Sequence, residues 1–214
     1  MAAQSFKERV TQTAISQAKI YEQVFLKYEY LLCSKAFHNR PYYIVSAHAA
    51  NYRHLIGVNT VISAENFFEK CINGTLAEEG FDFNKKGQAE KETKGAVRDK
   101  LIALPQFLSM MSKPLVAEEA FIKNRVHCIF AATDRSATVG FAAADKSKPM
   151  TLLRGDRLDP SKSSSVDLIL RRRAGTALFD EIVYGDETKI AEYIEGIQML
   201  LSEELKRTKA VSMV

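Results

Sequence analysis

The sequence predicts an α+β fold, and three observations predict it. An amphipathic helical pattern opens the chain, short β-rich segments separated by polar turns fill most of its second half, and another amphipathic helix closes it. Helices first, strands later and a helix last is not the strict alternation that builds a parallel α/β sheet. The strands are therefore expected to form a mainly antiparallel sheet.

Phe6, Val10, Ala14, Ala18, Tyr21, Phe25, Tyr28 and Leu32 recur every three or four residues, with Lys7, Glu8, Arg9, Gln17 and Lys27 largely between them. The spacing predicts one long helix over about residues 4–37, ended by His38-Asn39-Arg40-Pro41 because the residue before proline disfavours the helical region. Its apolar face needs cover, either the domain's own sheet or a partner such as an antitoxin-like protein or a second copy. Tyr42 to Ser46 is aromatic and β-branched and reads as a strand. A polar turn over Ala47–Asn51 follows, and Tyr52 to Val58 is expected to continue extended. Arg53 and His54 would then point to opposite faces, and Gly57 would mark a bulge or a close backbone approach.

Ser63 suits the N-cap of a helix carrying Phe67, Phe68, Cys71 and Ile72, with Gly74 at its stop. Glu78 to Lys94 is charged, anchored only by Phe81 and Phe83, and reads as an exposed connection. The other reading of it is a substrate-contacting loop through Lys85, Lys86, Lys91 and Lys94. Val97, Leu101, Ile102, Leu104, Leu108 and Met111 mark another helix, which Pro105 should kink or split. Then Val126–Thr133, Ala137–Ala144, Met150–Leu153, Val166–Arg172 and Leu178–Tyr184 alternate with turns, as in a meander. Asp186 caps a last helix with Ile190, Tyr193, Ile194, Ile197, Leu200, Leu201 and Leu205 on one stripe, and the tail from Thr208 should fray. The expected organisation is an N-terminal helical extension over 1–40, one α+β domain over 41–207 and a tail over 208–214.

A chain of 214 residues with 46% apolar and 26% charged residues can bury a sizeable core. Its net charge of +4 tolerates a phosphate-bearing partner without demanding one. The three cysteines, Cys33, Cys71 and Cys128, are widely spaced and suit buried hydrophobes better than a disulfide or a zinc site. The N-terminus lacks an apolar signal-type core and no apolar run approaches a membrane span, so a cytoplasmic protein is expected.

No nucleophile elbow, P-loop, zinc helix or dinucleotide loop is present, and the carboxylates do not cluster as for magnesium. No cofactor or metal is expected. What remains is histidine beside a strand turn, with hydroxyls and arginines on strands. That set suits metal-free RNA cleavage, in which a base activates the ribose 2′-hydroxyl, an acid protonates the leaving oxygen and cations stabilise the phosphate. By residue type alone the same histidine also suits a structural role.

The strand followed by His54-Leu55-Ile56-Gly57, the Phe67-Phe68 pair and Pro149-Met150-Thr151-Leu152-Leu153 resemble the nuclease-like domains of phage and mobile elements grouped with barnase, EndoU, colicin-type and RelE nucleases. The likeness is to phage-associated members with an H-L-x-G motif and a later P-x-[ST]-L-L strand, over about residues 41–185. It implies helices packed on one face of the antiparallel sheet, with an RNA-cleaving site on the other face or at its edge. His54 becomes the candidate base or acid, Thr151 a catalytic polar contact, and Arg154 a looser catalytic assignment. Arg53 and Lys100 are candidate substrate contacts. So are Arg171 and Arg173, which strand alternation places opposite Leu168 and Leu170. The expected function is a metal-independent endoribonuclease, with a phage or mobile-element toxin as one role for it, RNA as substrate and an antitoxin, an immunity protein or a second copy as partner. The alternative is a non-catalytic protein-binding or RNA-binding protein on the same fold.

Overall fold

The computed structural model describes residues 4–123 and 125–211, and among these the α+β class is found, with a long N-terminal helix, a curled antiparallel sheet and helices at the C-terminus. Helix α1 (Phe6–Tyr21) starts at a capping box between Ser5 and Glu8 and runs into one π-helical turn over Glu22–Leu26. The expected helix to residue 37 stops there. Tyr28–Ser34 is strand β1 instead, and six of its seven residues are buried. Its side chains alternate between two cores: Tyr30 and Leu32 join the main one, while Leu31 and Cys33 join a second. A strand buried on both faces is apolar over most of its length, so a helical period can be read through it as easily as a strand period.

Strand β2 (Tyr42–Val45) is as expected, but the following segment is not extended. Ala49–Ile56 forms helix α2, which makes Arg53 and His54 neighbours on a helix rather than residues of opposite strand faces. The His48 N–H donates to Asn51 Oδ1 at its start, and Gly57 ends it in the left-handed conformation with φ 88°. Gly57 is therefore a helix stop, not a bulge. Helix α3 (Ala64–Ile72) has Ser63 as N-cap and buries Phe67, Phe68 and Cys71. The loop after it is tied down: Phe81 and Phe83 are buried, and Asn59 and Asp82 exchange two backbone hydrogen bonds. Helix α4 (Glu90–Ser109) passes Pro105 as one helix rather than two, with Ala103, Leu104, Phe107 and Leu108 buried on either side of the proline.

The second half is richer in strands than expected. Val116–Glu119 (β3), Ile122–Lys123 (β4) and Val126–His127 (β5) precede Phe130–Thr133 (β6), so the expected strand over 126–133 is two pieces. Ala137–Ala142 (β7), Lys148–Arg154 (β8), Ser163–Arg173 (β9) and Glu181–Tyr184 (β10) follow. The eight-stranded sheet has the order β2-β1-β9-β3-β6-β7-β8, with β10 also on β9, and its named strand pairs are antiparallel. Of the expected meander, β6, β7 and β8 keep their order and β9 and β10 pair with each other, but the step from β8 to β9 is broken. Strand β9 crosses back to pair with β1, the strand hidden in the expected long helix.

The sheet curls until its ends meet. The Ser46 N–H donates to the Ser147 carbonyl at 3.0 Å, and the Ser147 N–H donates to the Ile44 carbonyl at 2.7 Å. Helices α1 to α4 pack inside the curl on the main core, to which Val10, Ala14, Ala18 and Tyr21 of α1 belong. The expected single final helix is two, α5 (Glu187–Ile197) and α6 (Glu203–Val211), and they cover the other face of β1 and β9 through Ile190, Ile197, Leu201 and Leu205. Residues 212–214 of the expected frayed tail lie outside the described residues. All three cysteines are free and buried. Among the described residues no helix is long and apolar enough to cross a membrane.

Candidate active site

Helices α2 and α4 pack against β8 at the end of the sheet, and between them opens a cavity of about 350 Å³. Arg53, His54 and Gly57 of the H-L-I-G segment line it, with Val58, Asn59, Lys85, Lys100, Val126, Met150 and Thr151. The motif divides its labour by helical geometry. Leu55 and Ile56 are fully buried in the core, which turns His54 outward into the cavity mouth. Thr151 comes from β8, where it pairs with Gly140. A side chain at Gly140 would collide with Thr151 Cγ2 and Cys128 Sγ, so that glycine is what lets β8 carry a threonine beside the hairpin β4–β5.

Gly57 serves the site in two ways. Its positive φ closes α2, and its missing Cβ leaves room for the Lys100 side chain, whose Cδ would lie 2.7 Å from a Cβ there. Laid across Gly57, Lys100 donates its Nζ to the backbone carbonyl of His54 at 2.5 Å. That carbonyl is one of the last of α2, which lack partners within the helix and carry its negative dipole end. Gly57→Ala should cost about 1–2 kcal/mol for a side chain in the left-handed region, and it should also push Lys100 off the carbonyl. Chemical denaturation would show the first effect and loss of site function the second.

The electrostatics are one-signed. Burial, then Arg53, Lys100 and Lys85, hold the His54 imidazole below its ordinary range, so at neutral pH it is a free base. Burial and the neighbouring Lys85 push the Lys100 ammonium down to about 8. Lys85 is itself lowered, by burial and by Arg53. The Arg53 guanidinium is aimed by a bond to Thr60 Oγ1 at 3.1 Å, and that hydroxyl donates to the Ile62 carbonyl. Asn59 Nδ2 holds Asp82 Oδ1 at 3.1 Å, which fixes the loop that brings in Lys85. Among the described residues no carboxylate lines the cavity, and the imidazole of His54 and the hydroxyl of Thr151 have no hydrogen-bond partner. Nor do three His, Cys, Asp or Glu side chains converge as for a metal among those residues.

Four of the seven candidate residues thus come together: His54, Thr151, Arg53 and Lys100. Arg154 stands one cavity further along β8, 3.5 Å from Asp99. Arg171 and Arg173 line neither cavity. Arg171 is stacked on Tyr28 and paired with Glu181, and Arg173 is exposed. Lys85 belonged to the less favoured reading of the 78–94 loop and is the only one of that loop's four lysines in the cavity. Nothing in the sequence pointed to Asn59. A second groove, between α1 and α4, is lined by Phe6, Leu101 and Ile102 with Arg9 and Arg98, and offers cations but no base.

Comparison with known protein families matches residues 16–188 to phage-Barnase-EndoU-ColicinE5/D-RelE like nuclease 4. No curated protein and no solved structure matches the chain.

Proposed function

Because the chain belongs to this family of phage-Barnase-EndoU-ColicinE5/D-RelE like nucleases, whose match covers most of its length and implies a nucleic-acid substrate, we propose that it is an endoribonuclease cutting by transesterification through the ribose 2′-hydroxyl. The observation that carries this reading is the convergence of a neutral histidine, three cations and a free hydroxyl in one cavity to which no described residue brings a carboxylate. Such a set fits chemistry carried by side chains, independent of a metal.

In this mechanism His54 takes the proton of the 2′-hydroxyl as its oxygen attacks the phosphorus. Arg53 and Lys85 hold the non-bridging oxygens, where negative charge builds in the transition state, and Thr151 donates its hydroxyl to the same group. Lys100, protonated at neutral pH but with a pKa near its operating range, gives a proton to the departing 5′-oxygen. The products are a 2′,3′-cyclic phosphate and a 5′-hydroxyl. Proton count and charge close without water or a metal.

The pH dependence follows with its sign. The base must be free, so the rate rises with pH through the depressed pKa of His54, below 6.5. The acid must be protonated, so the rate falls as pH passes the Lys100 value of about 8. A bell-shaped kcat profile is expected, and Lys100→Arg should displace its alkaline limb upward because guanidinium does not titrate there. An unaltered alkaline limb in that variant removes Lys100 as the acid.

The direct test is incubation of the purified protein with total cellular RNA in EDTA, followed by analysis of fragment ends. Cleavage leaving cyclic phosphates supports the proposal. Salt-sensitive RNA binding by folded protein without cleavage would instead favour a binding protein on this fold. In the cell the reading is a cytoplasmic, growth-inhibiting toxin of phage or mobile-element character. Since the buried face of α1 is spent on the domain's own core, a neutralising protein or second copy would use the remaining groove between α1 and α4.

A further inference from the structure

Beside the candidate active site, and sharing Lys100 with it, lies a second cavity of about 360 Å³ that the mechanism does not use. Ala96 and Asp99 of α4, Leu152, Leu153 and Arg154 of β8, Lys123 of β4 and Arg157 of the following turn line it. We propose that this cavity is a subsite for a flanking phosphate and its nucleotide, so that the substrate is an RNA strand laid along β8 from Thr151 toward Arg154. The proposal rests on the ribonuclease reading above and adds the direction and length of strand engaged.

Charge supports it first. Lys123, Arg154 and Arg157 converge with Lys100 around one concavity in which, among the described residues, Asp99 is the single carboxylate. The pair of that carboxylate with Arg154 is 3.5 Å long with both partners more than half exposed, so it gives way to a phosphate at little cost. Among the described residues Lys123 and Arg157 have no ion-pair partner.

Preorganisation supports it independently. The turn that carries the two arginines is clamped by buried Thr138, whose hydroxyl donates to the Gly155 carbonyl at 2.8 Å and accepts from the Arg157 N–H at 3.0 Å. The Gly155 N–H donates to the Ser136 carbonyl. Arg157 Nε donates to the Arg154 carbonyl at 2.9 Å, which fixes the guanidinium plane and leaves its terminal nitrogens for an acceptor. An arginine that only solvated the surface would gain nothing from being held. Leu153 supplies an apolar patch for a sugar or base.

The experiment compares wild type with Arg154→Gln/Arg157→Gln, both exposed positions, on a dinucleotide and a hexanucleotide with the same scissile step. The wild type should prefer the hexanucleotide in kcat/KM, and the double variant should lose about tenfold of that preference through KM, as expected for lost charge-assisted contacts. Equal preference in both proteins overturns the subsite while leaving the ribonuclease reading intact. If the wild type cuts neither substrate, the ribonuclease reading fails, and binding of a non-cleavable 2′-O-methyl dodecamer then decides the subsite. The salt dependence of its log affinity should be shallower in the variant by about 1.4, two single-strand phosphate contacts. An unchanged slope overturns the proposal.

Discussion

His54→Ala is expected to lower kcat for RNA cleavage by at least about 100-fold, the low end for losing a general base, with KM within a few-fold of wild type. The split follows from the site's layout. Arg53, Lys85 and Lys100 supply the attraction for phosphate and all remain, so ground-state binding persists. What disappears is, among the described residues, the only imidazole lining the cavity, and none of them brings a carboxylate there to replace it. Stability should barely change, because the side chain is exposed and, among the described residues, has no hydrogen-bond partner. The bond from Lys100 is accepted by the backbone carbonyl of residue 54 and survives the substitution. Thermal unfolding of the variant, run beside fragment-end analysis, separates this outcome from misfolding. Cleavage rates within a few-fold of wild type would remove His54 from the mechanism.

How far the sequence led can be judged from the same residues. His54 and Thr151 were found through short motifs 97 positions apart, and the fold brings them to one cavity. The local geometry around His54 was misread, although its signal was present. Tyr52, Leu55 and Ile56 have helical spacing and are all buried, and His48 with Asn51 marks the start. The β-branched run before them and Gly57 after them outweighed that signal, because an isolated glycine serves a strand bulge and a helix stop equally well. Strand β1 failed for a different reason. Its two-sided burial depends on β9, which is more than a hundred residues later, and no local period reports a partner that distant. Lys85 was legible as charge but not as place, since its position depends on the Asn59–Asp82 bridge, which joins segments 23 residues apart.

The arginine run shows that charge in sequence and charge available to a ligand differ, and it carries the second large prediction. Arg172→Met should destabilise the protein by about 3–5 kcal/mol, the cost of breaking a buried ion pair by removing one member. For a chain of this size that lowers the melting temperature by roughly 10 °C. Arg172 and Glu29 face each other across β9 and β1, each about 6% exposed. Nε and an Nη of the arginine reach Glu29 Oε2 at 2.8 and 2.7 Å, while Lys146 takes Oε1 at 2.6 Å. The same guanidinium donates to the Ala177 carbonyl and stacks 4.4 Å from the Phe179 ring, so it also closes the turn before β10. Removing it leaves the carboxylate held by Lys146 through Oε1 alone, with Oε2 unpaired between two strands of the sheet. Glu29→Leu combined with Arg172→Met should therefore cost less than the sum of the single changes, because the double variant leaves no half-paired buried carboxylate and Lys146 can turn to solvent. A double-mutant cycle by urea denaturation measures this. Additive costs would mean that packing against Phe179, rather than the ion pair, holds β9 against β1.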